Sequence, residues 1–202
     1  MPHSKIVPAI GADAGIVRDR LLAAACEEFC RSPFADTDVD KIAARADLSA
    51  QMFYEYFRDK IEIFTAAVEY LHRQEAGEIA ARLEAASAAG ANASGIVDVI
   101  FSCLLASRRR QALFRLQCSI LRRSDPRILE AVRRAQSDYA VELMRAFGGY
   151  TSVRAGSVDC RLDLCILSSL LDAIANDDFE ETYRARVEAE VKSILSAFFR
   201  SG

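Results

Sequence analysis

Between residues 37 and 60 the chain spaces polar side chains in a pattern suited to a nucleic acid. Gln51 carries an amide that donates and accepts on one edge, as an adenine N6/N7 edge requires. Ala50 and Met52 flank it, the one small, the other able to lie against a base edge. Thr37, Tyr54 and Tyr56 offer hydroxyls and Lys60 an ammonium, all of them groups that bond phosphate oxygens. The same stretch is not basic: Lys41, Arg45, Arg58 and Lys60 stand against Asp38, Asp40, Asp47, Glu55 and Asp59. Phosphate contacts should therefore be few and non-specific binding weak.

Other constellations carry less. Glu69-x-x-His72 has the spacing of a di-iron ligand pair, but such sites need two copies and the only other histidine is His3. His72 is expected on the surface of a long helix, and no metal or cofactor is called for. Cys26, Cys30, Cys103, Cys118, Cys160 and Cys165 sit in apolar periodic segments without a Cys-x-x-Cys pair, so they are expected as free core thiols in a reducing, cytoplasmic setting. A thiol sensor would need Arg115, Arg122 or Arg161 close enough to lower a thiol's pKa. Residues 108–145 hold ten Arg against four acidic residues, which reads as a solvated face. No nucleophile elbow, phosphate-binding loop or zinc-protease motif is present, so catalysis is not expected.

The elements that position these groups are helices. With 51% apolar and 27% charged residues, 9 Gly and 4 Pro, the chain is neither disordered nor fibrous. Its apolar residues recur at the helical period, and no run approaches the roughly 18 apolar residues of a membrane span. The reading is all-α, with about nine helices whose ends are uncertain by a few residues. A flexible arm covers about 1–13. The first helix runs from about Ala14 to Arg31 with the stripe Val17, Leu21, Leu22, Ala25 and Phe29. Short helices follow near Asp38–Arg45, capped by Asp38, and Ala50–Phe57, capped by Ser49. Asp47 tolerates the left-handed conformation that the turn between them needs. Two short helices on such a turn make a helix-turn-helix, whose second helix enters the major groove.

Residues from about Val17 to Phe64 resemble the N-terminal domain of the TetR family of bacterial transcriptional regulators. The positions that carry the resemblance are Leu21-Leu22, Ala24-Ala25 and Phe29, then Thr37, Val39, Ile42-Ala43 and Ala46, then Ser49, Phe53-Tyr54, Tyr56-Phe57, Lys60 and Ile63. The chain departs from the family where glycines are usual, with Pro33, Asp47 and Gln51, and where histidine is common, with Tyr56. The resemblance implies a helix-turn-helix domain over 14–62 and an effector-binding and dimerisation domain over 63–202.

In the second part, a long helix from about Lys60 to Ala88 leads to Gly90–Gly95, the expected hinge. Helices follow near Ile96–Ala106 and Arg109–Arg123, and another starts at Asp125-Pro126 and ends at Gly148-Gly149. The helix Val158–Ile174 is apolar on two faces, and the last carries Phe179, Tyr183, Val187, Val191, Ile194, Leu195 and Phe198. The last two helices are expected to form a homodimer. Phe101, Leu104, Phe114, Gln117, Cys118, Leu121, Tyr139 and Leu143 are expected to wall a pocket for a small, largely apolar effector. The functional expectation is a repressor that leaves a palindromic, double-stranded DNA operator when the effector binds. The alternative is a helical ligand-binding or adaptor protein whose DNA-binding head no longer functions.

Overall fold

The computed structural model describes residues 12–147, 169–175 and 181–199, and all regular structure among them is helical. Helices α1 (Ala12–Arg31), α2 (Val39–Arg45) and α3 (Ala50–Tyr56) form the head. The body comprises α4 (Lys60–Ala88), α5 (Ala93–Arg110), α6 (Ala112–Leu121), α7 (Pro126–Phe147), α8 (169–175) and α9 (Glu181–Phe199). Residues 1–11, Gly148-Gly149, most of the helix expected over 158–174 and Phe179 lie outside the described residues, as does the side chain of Phe198.

The helix ends follow local chemistry. Asp38, Ser49, Asp59 and Asn92 each accept a hydrogen bond from the backbone N–H three residues on, satisfying a donor the helix itself cannot. Asp125 does the same for the N–H of Arg127, just past Pro126. The expected hinge at Gly90–Gly95 is instead a tight corner. Gly90 takes φ 77° after the last turn of α4, its N–H donates to the Ser87 carbonyl, and that of Ala91 donates to the Ala86 carbonyl. This pair of bonds is a Schellman C-cap. Asn92 then caps α5, so Gly95 lies inside the first turn of that helix. The boundary between α5 and α6 also moves: α5 continues through Arg110, and Gln111 alone breaks the chain before α6.

Two apolar cores result. The first gathers Leu21, Phe29, Ile42, Phe53, Phe57 and Phe64 of the head and the start of α4, with Phe114 of α6 and Ile128 and Val132 of α7. It is aromatic: Phe29 meets Phe64 edge-on at 4.9 Å, and Phe64 lies 5.0 Å from Phe114. The second joins the far half of α4 to α5, α7, α8 and α9 through Ile79, Leu83, Ile100, Leu143, Ile174 and Val191. Val191 and Leu195 of the last helix are thus buried within one chain, while Tyr183 is exposed.

Candidate nucleic-acid interface and buried polar cluster

The turn between α2 and α3 is built on Asp47. It holds φ 53°, and the N–H groups of Asp47 and Leu48 donate to the carbonyls of Ala44 and Ala43. This is the same Schellman geometry as at Gly90, with Asp where glycine is easier. Arg20 of α1 braces it by donating to the Ala46 carbonyl at 2.6 Å. Phe53 and Phe57 anchor α3 in the first core, fully buried, and this sets which face of α3 turns outward.

That face carries Gln51, Tyr54 and Glu55, all exposed. Tyr54 stands edge-on against Phe53, which holds its ring while the phenol points away from the core. Ala50 and Met52 are half-buried at the start of α3, and the Met52 N–H is the one that Ser49 caps. Tyr56 is half-buried against the first core. An open groove, lined by Asp38, Val39, Asp40, Tyr54, Arg58, Asp59 and Lys60, runs beside α3.

Two expected phosphate ligands have structural duties instead. Thr37 is buried, its hydroxyl donating to the Pro33 carbonyl. Lys60 sets its ammonium over the Phe34 ring and donates from Nζ to the carbonyls of Phe34 and Thr37, both at 2.6 Å, tying the loop after α1 to the start of α4. Within the loop the Pro33 carbonyl accepts from the N–H groups of Asp36 and Thr37, and the carbonyls of Phe34 and Thr37 are left to the ammonium. The neighbouring cations are engaged too. Arg45 pairs with Glu27 and the buried Glu28, Lys41 donates to the Asp36 carbonyl, and Arg127 pairs with Asp59 and Asp125. Arg58 pairs with Glu62 at 3.0 Å, but its side chain is 85% exposed, and so open a pair exchanges easily. It is the phosphate candidate that the sequence reading missed.

The expected effector-pocket residues do not share one wall. Phe101, Leu104, Tyr139 and Leu143 border the second core, whereas Phe114, Cys118 and Leu121 belong to the first. Gln117 is buried and donates from Nε2 to the carbonyls of Phe29 at 2.8 Å and Ser32 at 3.3 Å, binding α6 to the end of α1. The division follows from the length of α5 and α6 together, which carries their far ends across from one core to the other.

A polar cluster lies in the body, built from five helices. Glu75 of α4 and Arg108 of α5 are both nearly fully buried and pair at 3.2 Å. Asp172 of α8 pairs with Arg108 and with Arg115 of α6, at 3.0 Å each. Tyr139 of α7 and His72 of α4 close the group, their rings edge-on at 5.1 Å. His72 is thus not the surface residue expected: its Nδ1–H donates to the Val68 carbonyl at 2.8 Å, and burial holds its pKa below the ordinary value. Burial, then the charge of Glu75, pushes the Tyr139 hydroxyl well up. Arg108 and Arg115 likewise leave the solvated face expected of the arginine-rich stretch; Arg110 and Arg134 stay on it, paired with Glu78 and Glu69. Glu69 and His72 therefore face different neighbours. Among the described residues no three His, Cys, Asp or Glu side chains gather as metal ligands.

The described thiols are set by burial. Cys26 and Cys30 are pushed up, Cys103 also, and Cys118 to about 12 despite Arg115 and Arg122 beside it. They remain protonated at neutral pH, as packing groups do. Cys160 and Cys165 lie outside the described residues.

Residues 21–67 match the family model for bacterial regulatory proteins of the tetR family. The whole fold is similar to solved structures. One is a Mesorhizobium loti protein assigned to the TetR family of transcriptional regulators, with TM-score 0.63 and 17% identity over 92% of this chain and 96% of that one. A second, from Rhodococcus sp. and assigned likewise, has TM-score 0.63 and 16% identity over 92% and 99%. A third, the fatty acid degradation regulator FadR from Bacillus halodurans, has TM-score 0.56 and 16% identity over 91% and 95%. No curated protein sequence matches the chain. The chain shares the fold of these solved structures, and its residues 21–67 match the tetR-family model.

Proposed function

We propose that this chain is a DNA-binding transcriptional regulator, a cytoplasmic homodimer that represses from a palindromic operator and is released by a small effector. The observation that carries the reading is the outward face of α3, where Gln51 and Tyr54 stand exposed after a rigid turn while Phe53 and Phe57 lock the helix from behind. Gln51 and Met52 read base edges, Ala50 lets the helix approach, and Tyr54, Tyr56 and Arg58 bond phosphates. Pairing through the last two helices would set two heads about 34–36 Å apart, one helical turn of DNA.

Release follows from how α6 is held. Arg115 reaches into the polar cluster of the body, and two residues on Gln117 grips the end of α1. An effector that binds the body better in one position of α6 than in another shifts the heads by the difference in affinity.

Selection of bound fragments from random-sequence DNA by the purified chain tests the reading. A two-fold-symmetric sequence is expected, and Gln51→Ala should lose preference at one symmetric position only. A second reading, an adaptor with an inactive head, draws on the acidic residues of the head and the intramolecular pairing of its cations. A folded dimer that enriches no sequence at any salt concentration would favour that reading.

A further inference from the structure

The outermost side chain of α3 is an acid. A helix turns by about 100° per residue. Phe53 and Phe57, both buried, therefore point together into the first core. Glu55 lies midway between them in sequence and about 180° from their mean direction, with Gln51 about 140° and Tyr54 about 80° from it. Glu55 is thus the summit of the exposed face. α3 has seven residues and is about 10 Å long, less than the roughly 12 Å width of a major groove, so its last turn enters with its first.

This charge has no structural duty. Asp38 and Asp59 cap helices, Glu62 pairs with Arg58, and Glu27 and Glu28 pair with Arg45. Glu55 is exposed and makes no ion pair or hydrogen bond with any described residue. It also stands in the last turn of α3, where the helix dipole disfavours an anion. Beside DNA every phosphate repels it, so it is tolerated in a groove only against a base edge that donates. An ionised carboxylate only accepts. Guanine offers N7 and O6, and thymine O4, all of them acceptors. Adenine sets its N6 donor beside the N7 lone pair. Cytosine offers its N4 donor with C5–H beside it, and its edge is the one that fits.

We infer that Glu55 is a specificity-determining residue that selects a cytosine in each half-site, accepting from its N4 amino group and penalising every sequence without it. The inference rests on reading α3 as the helix that enters the major groove, and it names a base of the operator. Gln51 and Glu55 are four residues apart on one face, about 6 Å along the helix axis. That is at most about two base-pair steps of roughly 3.4 Å. The cytosine therefore lies within about two steps of the adenine that Gln51 reads. The unpaired acid is then an element of discrimination: repulsion from wrong edges and from phosphates lowers affinity for other sites more than for the operator.

The test is selection from random-sequence DNA by the native full chain, by Glu55→Ala and by Glu55→Gln, followed by competition of the native operator against single-base replacements. Glu55 is exposed and unpaired, so both variants should keep the native urea midpoint. Replacing the cytosine should cost the native chain about tenfold in affinity, within the usual range for one mismatched pair. Glu55→Ala should show no preference at that position and keep the adenine. Glu55→Gln should move the preference from cytosine to adenine, because an amide donates to N7 while accepting from N6. Gln51→Ala should leave the cytosine in place. Variants that bind all DNA more tightly but keep every native preference would show that Glu55 only repels phosphates, and would overturn the inference while leaving α3 as the reader. A native operator without a cytosine in that interval would do the same. A folded native chain that enriches no sequence would overturn the DNA-binding reading and the inference with it.

Discussion

The head and the body solve the problem of a buried centre in opposite ways. The head fills its centre with rings: Phe29 and Phe64 touch each other and each meets Phe34 and Phe114, while the buried carboxylate of Glu28 pairs with the part-exposed Arg45. The body places four charges, a phenol and an imidazole among its helices. An apolar core of well-matched shapes rewards one arrangement, because any displacement opens a void. A core of ion pairs pays desolvation for both partners and gains little net stability, but it discriminates sharply between occupied and unoccupied arrangements of donors and acceptors. The element proposed to hold its shape on DNA is thus packed like a crystal, and the element read as responsive carries the polar centre.

The largest effects should come from cutting one member out of each centre. Phe29→Ala removes a fully buried ring from the head and should cost about 3–5 kcal/mol in urea unfolding. Arg108→Leu should cost a similar 3–5 kcal/mol, chiefly because Glu75 is left buried without its partner. The regions then part company. Glu75→Leu with Arg108→Leu leaves the Asp172–Arg115 pair intact and should return to within about 1 kcal/mol of the native chain or exceed it. No second substitution should rescue Phe29→Ala so fully. A double variant as unstable as Arg108→Leu would show that the polar centre is a structural necessity, and the contrast between the regions would fail.

Gln117 joins the two. Gln117→Ala should cost about 1–3 kcal/mol, because the carbonyls of Phe29 and Ser32 at the end of α1 lose their buried donor. Its more telling readout is coupling: operator affinity should persist while its response to a bound effector shrinks. A variant that keeps the full response would place the connection elsewhere, for example at Arg127 and Asp59.

Acid separates the regions again, through His72. Burial lowers its pKa in the folded chain, so protonation opposes folding. The sign follows from linkage: the contribution is complete above the unfolded value of about 6.5 and is lost as pH falls through the lower folded value. His72→Gln should therefore flatten the fall of the urea midpoint between pH 7 and pH 5. Asp59, whose pKa is lowered by the N–H of Glu62 and then by Arg127, acts in the same direction but nearer the ordinary carboxylate range. An unchanged slope in His72→Gln would mean that the imidazole titrates freely.

Much of the head was legible because its signals are local. Asp38 and Ser49 announce helix starts within three residues of where they act, and the stripe Leu21, Leu22, Ala25, Phe29 maps directly onto the buried face of α1. Thr37 and Lys60 misled because a polar side chain near a reading helix can face either DNA or a loop carbonyl, and nothing in spacing decides between them. The body was less legible because its centre is assembled from five helices. A trace did exist: Glu75 falls on the apolar stripe of α4 between Val68 and Ile79, and Arg108 falls four residues past Leu104 on that of α5. A charge standing where the helical period calls for an apolar residue marks a buried partner. Their mutual pairing, 33 residues apart, could not be read from either helix alone.

The smallest expected effect lies at Asp47, and it tests whether the head is as tightly specified as its core suggests. Asp47 occupies the left-handed region, where a side chain costs about 1–2 kcal/mol relative to glycine. Replacement by glycine relieves that strain but gives the unfolded chain more freedom, worth about 0.4–1 kcal/mol in the other direction. It also removes the long, exposed contact with Arg20 at 3.4 Å, which contributes little. The net expectation is a gain of about 0.5 kcal/mol, seen as a small rise in the urea midpoint, with operator affinity unchanged because the turn keeps its two bonds to Ala43 and Ala44. A loss of stability would show that the Asp47 side chain stabilises the turn by more than its backbone strain costs. A change in operator affinity at constant stability would show that α3 is aimed by this residue rather than by the buried rings behind it.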